Sequence, residues 1–396
     1  MVDFNLYEKS IRQPFIKLCR LRFLNSDGTT AFVVDNNDNY KRNKCFIAGG
    51  SLSVNLQNGQ RRTASVTFDN VDDEFDYNLN HLWFGNQVAL DEGLILLDGT
   101  EYYMPQGVFL LTQPSDSVQP NERTIQYHLS DKWANLDGTL YGNLEGSYQI
   151  NSGTLIRTAV KSLLAEDKGN GYPVDSTSPT FVTTNSTTYD ITIDADRTLA
   201  DVILALADAD AELVGYDRSG SLRFEPSSDE VDDIDRPVQW TFSMDETTLL
   251  GLTYDIKNEE VYNDYIVVGE QLNNGSQPMA RVQNYDARSD TNILRIGTKT
   301  KRETASGYTT VTQCRDLATW RLKRASVLSK AVNISASQIF HIQENQLVEV
   351  IRTDKPGSPI EKHLVQGFSR PLTGKGAMTI SAISTVDIPD FTVVNA

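Results

Sequence analysis

The chain has 396 residues, enough for two or three domains with their own cores, and its 39% hydrophobic content is that of a folded protein, not a disordered one. A formal net charge of -17 works against general affinity for nucleic acid or anionic membranes. Three widely spaced cysteines (Cys19, Cys45 and Cys314), no signal-peptide pattern, and a longest apolar tract broken by Asp201, Asp208 and Asp210 point to a soluble protein of a reducing cytosol without a membrane anchor.

The first predicted element is a β-hairpin, Phe15 to Leu24 and Ala31 to Val34, joined by the turn Asn25-Ser26-Asp27-Gly28. A second pair follows, Ser51 to Leu56 and Thr63 to Phe68, around Gln57-Asn58-Gly59-Gln60. Both strands alternate polar and apolar residues, so one face is buried and the other wet. Further strands are expected at Gln87 to Leu90, Leu94 to Leu97, Tyr102 to Met104, Gly107 to Leu111 and Arg123 to Leu129. Many short strands with frequent turns describe a barrel or sandwich, assigned to residues 1–148.

Residues 149–250 read as an α+β insert with helices and a hairpin. Leu155, Ile156, Ala159, Val160, Leu163 and Leu164 have helical spacing, with Ser152 as the expected cap. Thr198-Leu199-Ala200-Asp201 resembles a capping box opening a second helix, and Glu212 to Tyr216 with Ser221 to Phe224 form a hairpin. The acidic run Asp229 to Asp235 reads as an exposed loop.

Residues 251–396 read as a second β-barrel-type domain with one amphipathic helix. Strands are expected at Tyr262 to Gly269 and Ile293 to Gly297, then a helix from Thr310 to Arg324 whose Val311, Cys314, Leu317, Ala318, Leu322 and Ala325 share a stripe. Strands return at Val332 to Ala336, Leu347 to Ile351, Leu364 to Phe368 and Met378 to Ile383. The fold class is α+β, mostly β.

No catalytic, cofactor-binding or metal-binding residue stands out. Asp69 to Asp76 and Asp229 to Asp235 lack the spacing of a calcium loop. His81, His128, His341 and His363 belong to no zinc motif, and Cys314 on an apolar stripe reads as a small hydrophobe. The basic pairs Lys41-Arg42, Arg61-Arg62 and Lys301-Arg302 read as solvated faces. Trp83-Phe84 and Tyr102-Tyr103 remain as aromatic candidates for a subunit contact or for stacking on a sugar.

The order of Ser51-Leu52-Ser53-Val54, Arg62 to Phe68, Gly107 to Leu111, Ser130-Asp131-Lys132-Trp133, Arg197 to Val202, Tyr216 to Phe224, and Asn263 to Gly269 ahead of the Leu317-Ala318 helix resembles the tail hub proteins of tailed bacteriophages and contractile injection systems. The likeness spans about residues 50–385. It implies two tube-like β-barrel domains separated by a smaller α+β insert, in a homotrimeric ring lining a DNA channel. The net charge of -17 suits an acidic lining of that channel, along which phosphates slide and do not stick. Implied partners are a tail tube or distal tail protein, a central spike, fibre or tail lysin, and a tape-measure protein. DNA passes through without specific binding. The implied location is the virion tail, with assembly in the host cytoplasm. Many relatives carry a C-terminal lytic domain, and the sequence ends at Ala396 without one, so enzymatic activity is not expected. A carbohydrate-binding tail-tip module and a glycan hydrolase using an acidic pair are the alternatives.

Overall fold

The computed structural model describes residues 4–36, 47–70, 73–77, 82–120, 122–169, 171–210, 212–226, 237–256, 261–272, 275–287, 289, 291–305, 307–326, 330–374 and 376–384. Helix α1 (Phe4–Ile11) buries Tyr7 and Ile11 and leads into the hairpin of β1 (Lys17–Leu24) and β2 (Thr30–Asp35). Gly28 in its turn takes φ 81°, a value that suits glycine. β3 (Ile47–Asn55) and β4 (Arg62–Asp69) form the second expected pair, followed by β5 (Gln87–Ile95), β6 (Glu101–Gln119) and β7 (Glu122–Asp131). Strands expected singly merge in β5 and in β6. Register shifts at Leu90/Asp91 and Leu111/Pro114 let these strands bend without ending.

Asp131 then caps a short 3-10 turn, Lys132–Asn135, by accepting from Trp133 N. The insert that follows holds β8 (Tyr148–Ile150), α2 (Ile156–Leu164), β9 (Thr180–Phe181), β10 (Ile191–Ile193), α3 (Leu199–Ala209), β11 (Glu212–Tyr216) and β12 (Leu222–Pro226). α3 opens with the expected capping box: the Thr198 hydroxyl accepts from Asp201 N, and the Asp201 carboxylate accepts from Thr198 N. α2 differs from expectation. Its N-cap is Leu155 with no side-chain bond, while Ser152 lies outside the helix and donates its backbone N–H to Asp190. Val160, Leu163, Val202, Ile203, Leu206, Val214 and Phe224 fill this unit's own core.

β13 (Val238–Ser243) and β14 (Leu249–Ile256) return to the main sheet. A third unit comes next, β15 (Asp264–Val268), β16 (Met279–Gln283), α4 (Ile293–Ile296), β17 (Thr300–Thr304) and α5 (Val311–Ala325), with a small core built from β15, β16, Ala305 and α5. Thr310 and Gln313 form a second capping box at the start of α5. Ile293 to Ile296, read from the sequence as a strand, is a helical turn. The Asn292 side chain accepts from Leu294 N, and Gly297 at φ 80° ends the turn. The chain closes with β18 (Lys330–Ala336), β19 (Leu347–Ile351), β20 (Ile360–Pro371) and β21 (Met378–Ser384).

The two strand-rich ends form one sheet of order β14-β18-β21-β20-β3-β4-β7-β6-β5-β1-β2, with β19 on β20 and β13 parallel to β19. The pairing of β3 with β20, Ser53 opposite Ser369, joins them. Their inner faces share a single core running from Phe23, Phe68 and Phe109 to Phe242, Ile334 and Phe368. The class is mostly β with α+β units, as expected. Among the described residues the strand path runs from β14 to β2 without closing into a barrel.

Candidate functional site

In an antiparallel sheet directly opposed residues lie on the same face. One such row crosses seven strands: Gly251, Ser335, Thr379, Ser369, Ser53, Thr63 and Ser130. A second row is Thr253, Asn333, Ser381, Gly367 and Asn55, and a third holds Ser51, Ser65 and His128. The side chains bond to one another, with Ser51 Oγ 3.3 Å from Ser65 Oγ and Ser381 Oγ donating to Asn333 Oδ1 at 3.3 Å. Part of this face is concave, a hollow of about 480 Å³ bordered by Ser51, Ser53, Thr63, Ser65, His128 and Ser130. Carboxylates enter at its margins, Asp255 at the end of β14 and Asp69 at the end of β4. A wide, uncharged, hydroxyl-bearing wall in so acidic a chain is the first distinctive surface.

The second feature is a buried polar seam where both ends of the sheet meet the α3 unit. Arg62 Nη2 donates to both oxygens of Glu344, at 2.8 and 2.6 Å, and to Gln343 at 2.7 Å; Nη1 reaches Gln106 O and Nε reaches Tyr216 O. Arg61 Nη1 meets Glu225 at 2.6 Å. Asp131 accepts from the backbone N–H groups of both arginines at 2.9 Å. Burial pushes the Asp131 carboxyl up to about 6, against the pull of those N–H groups and of Trp133 N.

Arg370 meets Glu92 at 2.6 Å and also donates to Gln106 Oε1 and Ile339 O. Lys17 lies 2.7 Å from the other Glu92 oxygen. Burial alone would raise the Glu92 carboxyl, but Arg370 and Lys17 hold it below its usual range; burial likewise lowers the Lys17 ammonium. The reading of Arg61-Arg62 as a solvated pair is therefore corrected: they are 2% and 1% exposed. Their partners sit up to 282 residues away, beyond any local pattern. Gly215 lets Arg61 lie flat on β11, since a Cβ there would come within 2.3 Å of Arg61 Nε. Buried ion pairs of this kind add little net stability over apolar packing, yet losing one partner is costly.

The aromatic candidates fall into separate places. Trp83 and Phe84, each 46% exposed, meet edge to face at 5.0 Å, with Tyr77 6.4 Å from Trp83. Tyr102 is half-buried against Tyr7 at 5.5 Å. Tyr103 lies beneath the Arg20 guanidinium at 4.0 Å, and burial raises its phenol. Among the described residues no ring contact brings either tyrosine to Trp83 or Phe84.

His81 and Asp229 to Asp235 lie outside the described residues. His128 is exposed on the hydroxyl wall, His341 bonds Tyr7 and Gln239 O, and burial lowers the His363 imidazole to about 4. Cys314 is buried within the α5 core, as expected of a small hydrophobe, and burial raises its thiol. In the stretch from Asp69, Asp76 is held by Arg123. Among the described residues no group of three or more His, Cys, Asp or Glu is placed to hold a metal, and no helix is long and apolar enough to cross a membrane.

No family model matches the sequence, and no curated protein matches it. Solved structures do. The 43 kDa tail protein of prophage MuSo2 from Shewanella oneidensis superposes with a TM-score of 0.61 at 12% identity, over 94% of this chain and 100% of that one. The tail protein of Neisseria meningitidis MC58 gives 0.60 at 11% identity, over 94% and 97%. Prophage tail protein gp18 of Listeria monocytogenes EGD-e gives 0.55 at 10%, over 94% and 95%. The chain thus has the fold of phage tail proteins, the group its sequence resembles.

Proposed function

We propose that the chain is a structural component of a phage tail tip or baseplate, a hub of which three copies close into a ring around the path of the DNA. The observation that carries this reading is the hydroxyl wall, which runs from β14 to β7 and crosses from one strand-rich half to the other through the β3–β20 pairing. Affinity for DNA comes chiefly from Lys and Arg neutralising phosphates. A wall of Ser, Thr and Asn offers no such charge and no dense carboxylates to repel, so a duplex slides past hydrated hydroxyls. In the ring, each strand-rich half contributes one barrel-like wall, and three copies give six.

The acidic excess, on this reading, belongs to outer and contact surfaces and not to the channel. One end of the ring meets a tail tube or distal tail protein, the other a central spike, fibre or lysin, with the tape-measure protein threaded between. Trp83, Phe84 and Tyr77 form an exposed aromatic contact for a neighbouring protein. The role is architectural, and the place is the virion tail, after assembly in the host cytoplasm.

Native mass spectrometry of the purified full chain, alone and with its tail-tube neighbour, tests this. A trimer is expected. A chain that stays monomeric at every concentration in both settings contradicts it.

A further inference from the structure

The charge of the chain is unevenly divided. Residues 261–326, around α5, carry ten Lys and Arg against six Asp and Glu, whereas residues 132–226, around α3, carry seven against fourteen. In a chain of net charge -17 the α5 unit is a basic island.

Its outer rim is the run from Leu294 to Arg302. α4 buries none of its residues: Leu294 is 81% exposed and Ile296 48%. β17 follows, exposed at Thr300, Lys301 and Arg302, as an edge of the small sheet β16-β15-β17. Cations on an edge strand guard against stray pairing, and that alone would explain Lys301 and Arg302. It leaves unexplained two aliphatic side chains displayed on the adjoining turn. An apolar centre flanked by charge is instead the makeup of a protein contact. Duplex DNA would also be drawn to the cations, but its phosphates give Leu294 and Ile296 nothing to pack on.

Within one chain the basic and acidic units touch elsewhere, through the Tyr189 and Tyr308 rings at 5.3 Å. The rim stays exposed, and so do Asp194 and Asp196 on the turn before α3.

We propose that the rim of one copy, Leu294 and Ile296 with Lys301 and Arg302, docks on the acidic α3 unit of a second copy at Asp194 and Asp196. The inference rests on the ring reading above and names its contact. A head-to-tail ring joins two different surfaces of each copy, and the opposite charge of these two makes them complementary.

The test is sedimentation of the full chain across a concentration series at low and physiological salt. K301E/R302E, L294S/I296S and D194K/D196K each change exposed residues, and each is expected to raise the trimer dissociation concentration about tenfold or more. R157E/K161E makes the same charge change as K301E/R302E at exposed positions of α2, and is expected to leave association unchanged or tighter. A wild-type trimer whose dissociation is unaffected by the rim variants overturns this contact while the ring reading stands. Rim variants that weaken association while D194K/D196K does not overturn the acidic half of the pairing. Loss of duplex binding in K301E/R302E with association unchanged overturns the contact in favour of DNA. A wild-type chain that never associates removes both.

Discussion

Arg62 and Glu344 are 282 residues apart, and Arg62 Nη2 lies 2.8 and 2.6 Å from the two carboxylate oxygens of Glu344, with both side chains buried. The pair ties β4 to the segment before β19, and the same guanidinium reaches β6 and β11. Replacing Arg62 with Ala leaves Glu344 charged and unpartnered in the interior. The expected loss is about 3–5 kcal/mol of unfolding free energy, read by denaturant titration. Arg62→Lys recovers little, because one ammonium cannot replace the fork of donors. A loss under about 1 kcal/mol for Arg62→Ala would show that the seam does not hold the units together.

Gly215→Ala drives a methyl group into Arg61, and is expected to destabilise by about 1–3 kcal/mol. If crowding against Arg61 is the cause, most of that penalty disappears in an Arg61→Ala background. The two changes together then cost less than their sum, which a double-mutant cycle measures. Strict additivity would mean that Gly215 is needed for another reason.

His363 predicts a pH dependence. Burial is the main cause of its low folded pKa, about 4, with Glu361, 3.8 Å from Nε2, opposing; among the described residues neither ring nitrogen has a hydrogen-bond partner. The ordinary value is 6.5. The unfolded chain therefore binds the proton more readily, and stability is complete above 6.5 and falls as the pH drops toward 4. The expected contribution is a loss of about 2 kcal/mol at pH 5 relative to pH 7. His363→Phe, which keeps a ring without titrating, should flatten that part of the profile. An unchanged profile would place the acid sensitivity elsewhere, for instance at Glu92 with its depressed carboxyl.

Trp83→Ala removes a half-exposed ring, so its cost to stability should stay within about 1 kcal/mol. Its effect belongs in binding to a neighbouring tail protein, followed by calorimetry with the partner in hand. Glycan binding that falls with Trp83 and is indifferent to tail proteins would favour the carbohydrate alternative instead.

Local signals in the sequence were legible. The β1–β2 and β3–β4 hairpins and the box Thr198/Asp201 depend on residues a few positions apart, and spacing alone reveals them. What stayed hidden was long-range. Arg61 and Arg62 look like any surface basic pair until Glu225 and Glu344 are brought to them. α4 read as a strand because Ile293, Leu294 and Ile296 suit β structure, and the Asn292 cap with Gly297 outweighed that preference. The hydroxyl wall was half visible, in the alternation of Ser51-Leu52-Ser53-Val54. Its alignment with Ser369 and Thr379 depends on a pairing between the two ends of the chain that no local pattern encodes.

The orientation of that wall in the assembled particle is the most direct measurement. An electron cryo-microscopy map of the purified assembly or of the tail should show three copies around an axial channel, with Ser53, Thr63, Ser369 and Thr379 facing the lumen. A threefold ring with these residues on its outer surface, or a lone copy with the wall covered by another protein, would contradict it.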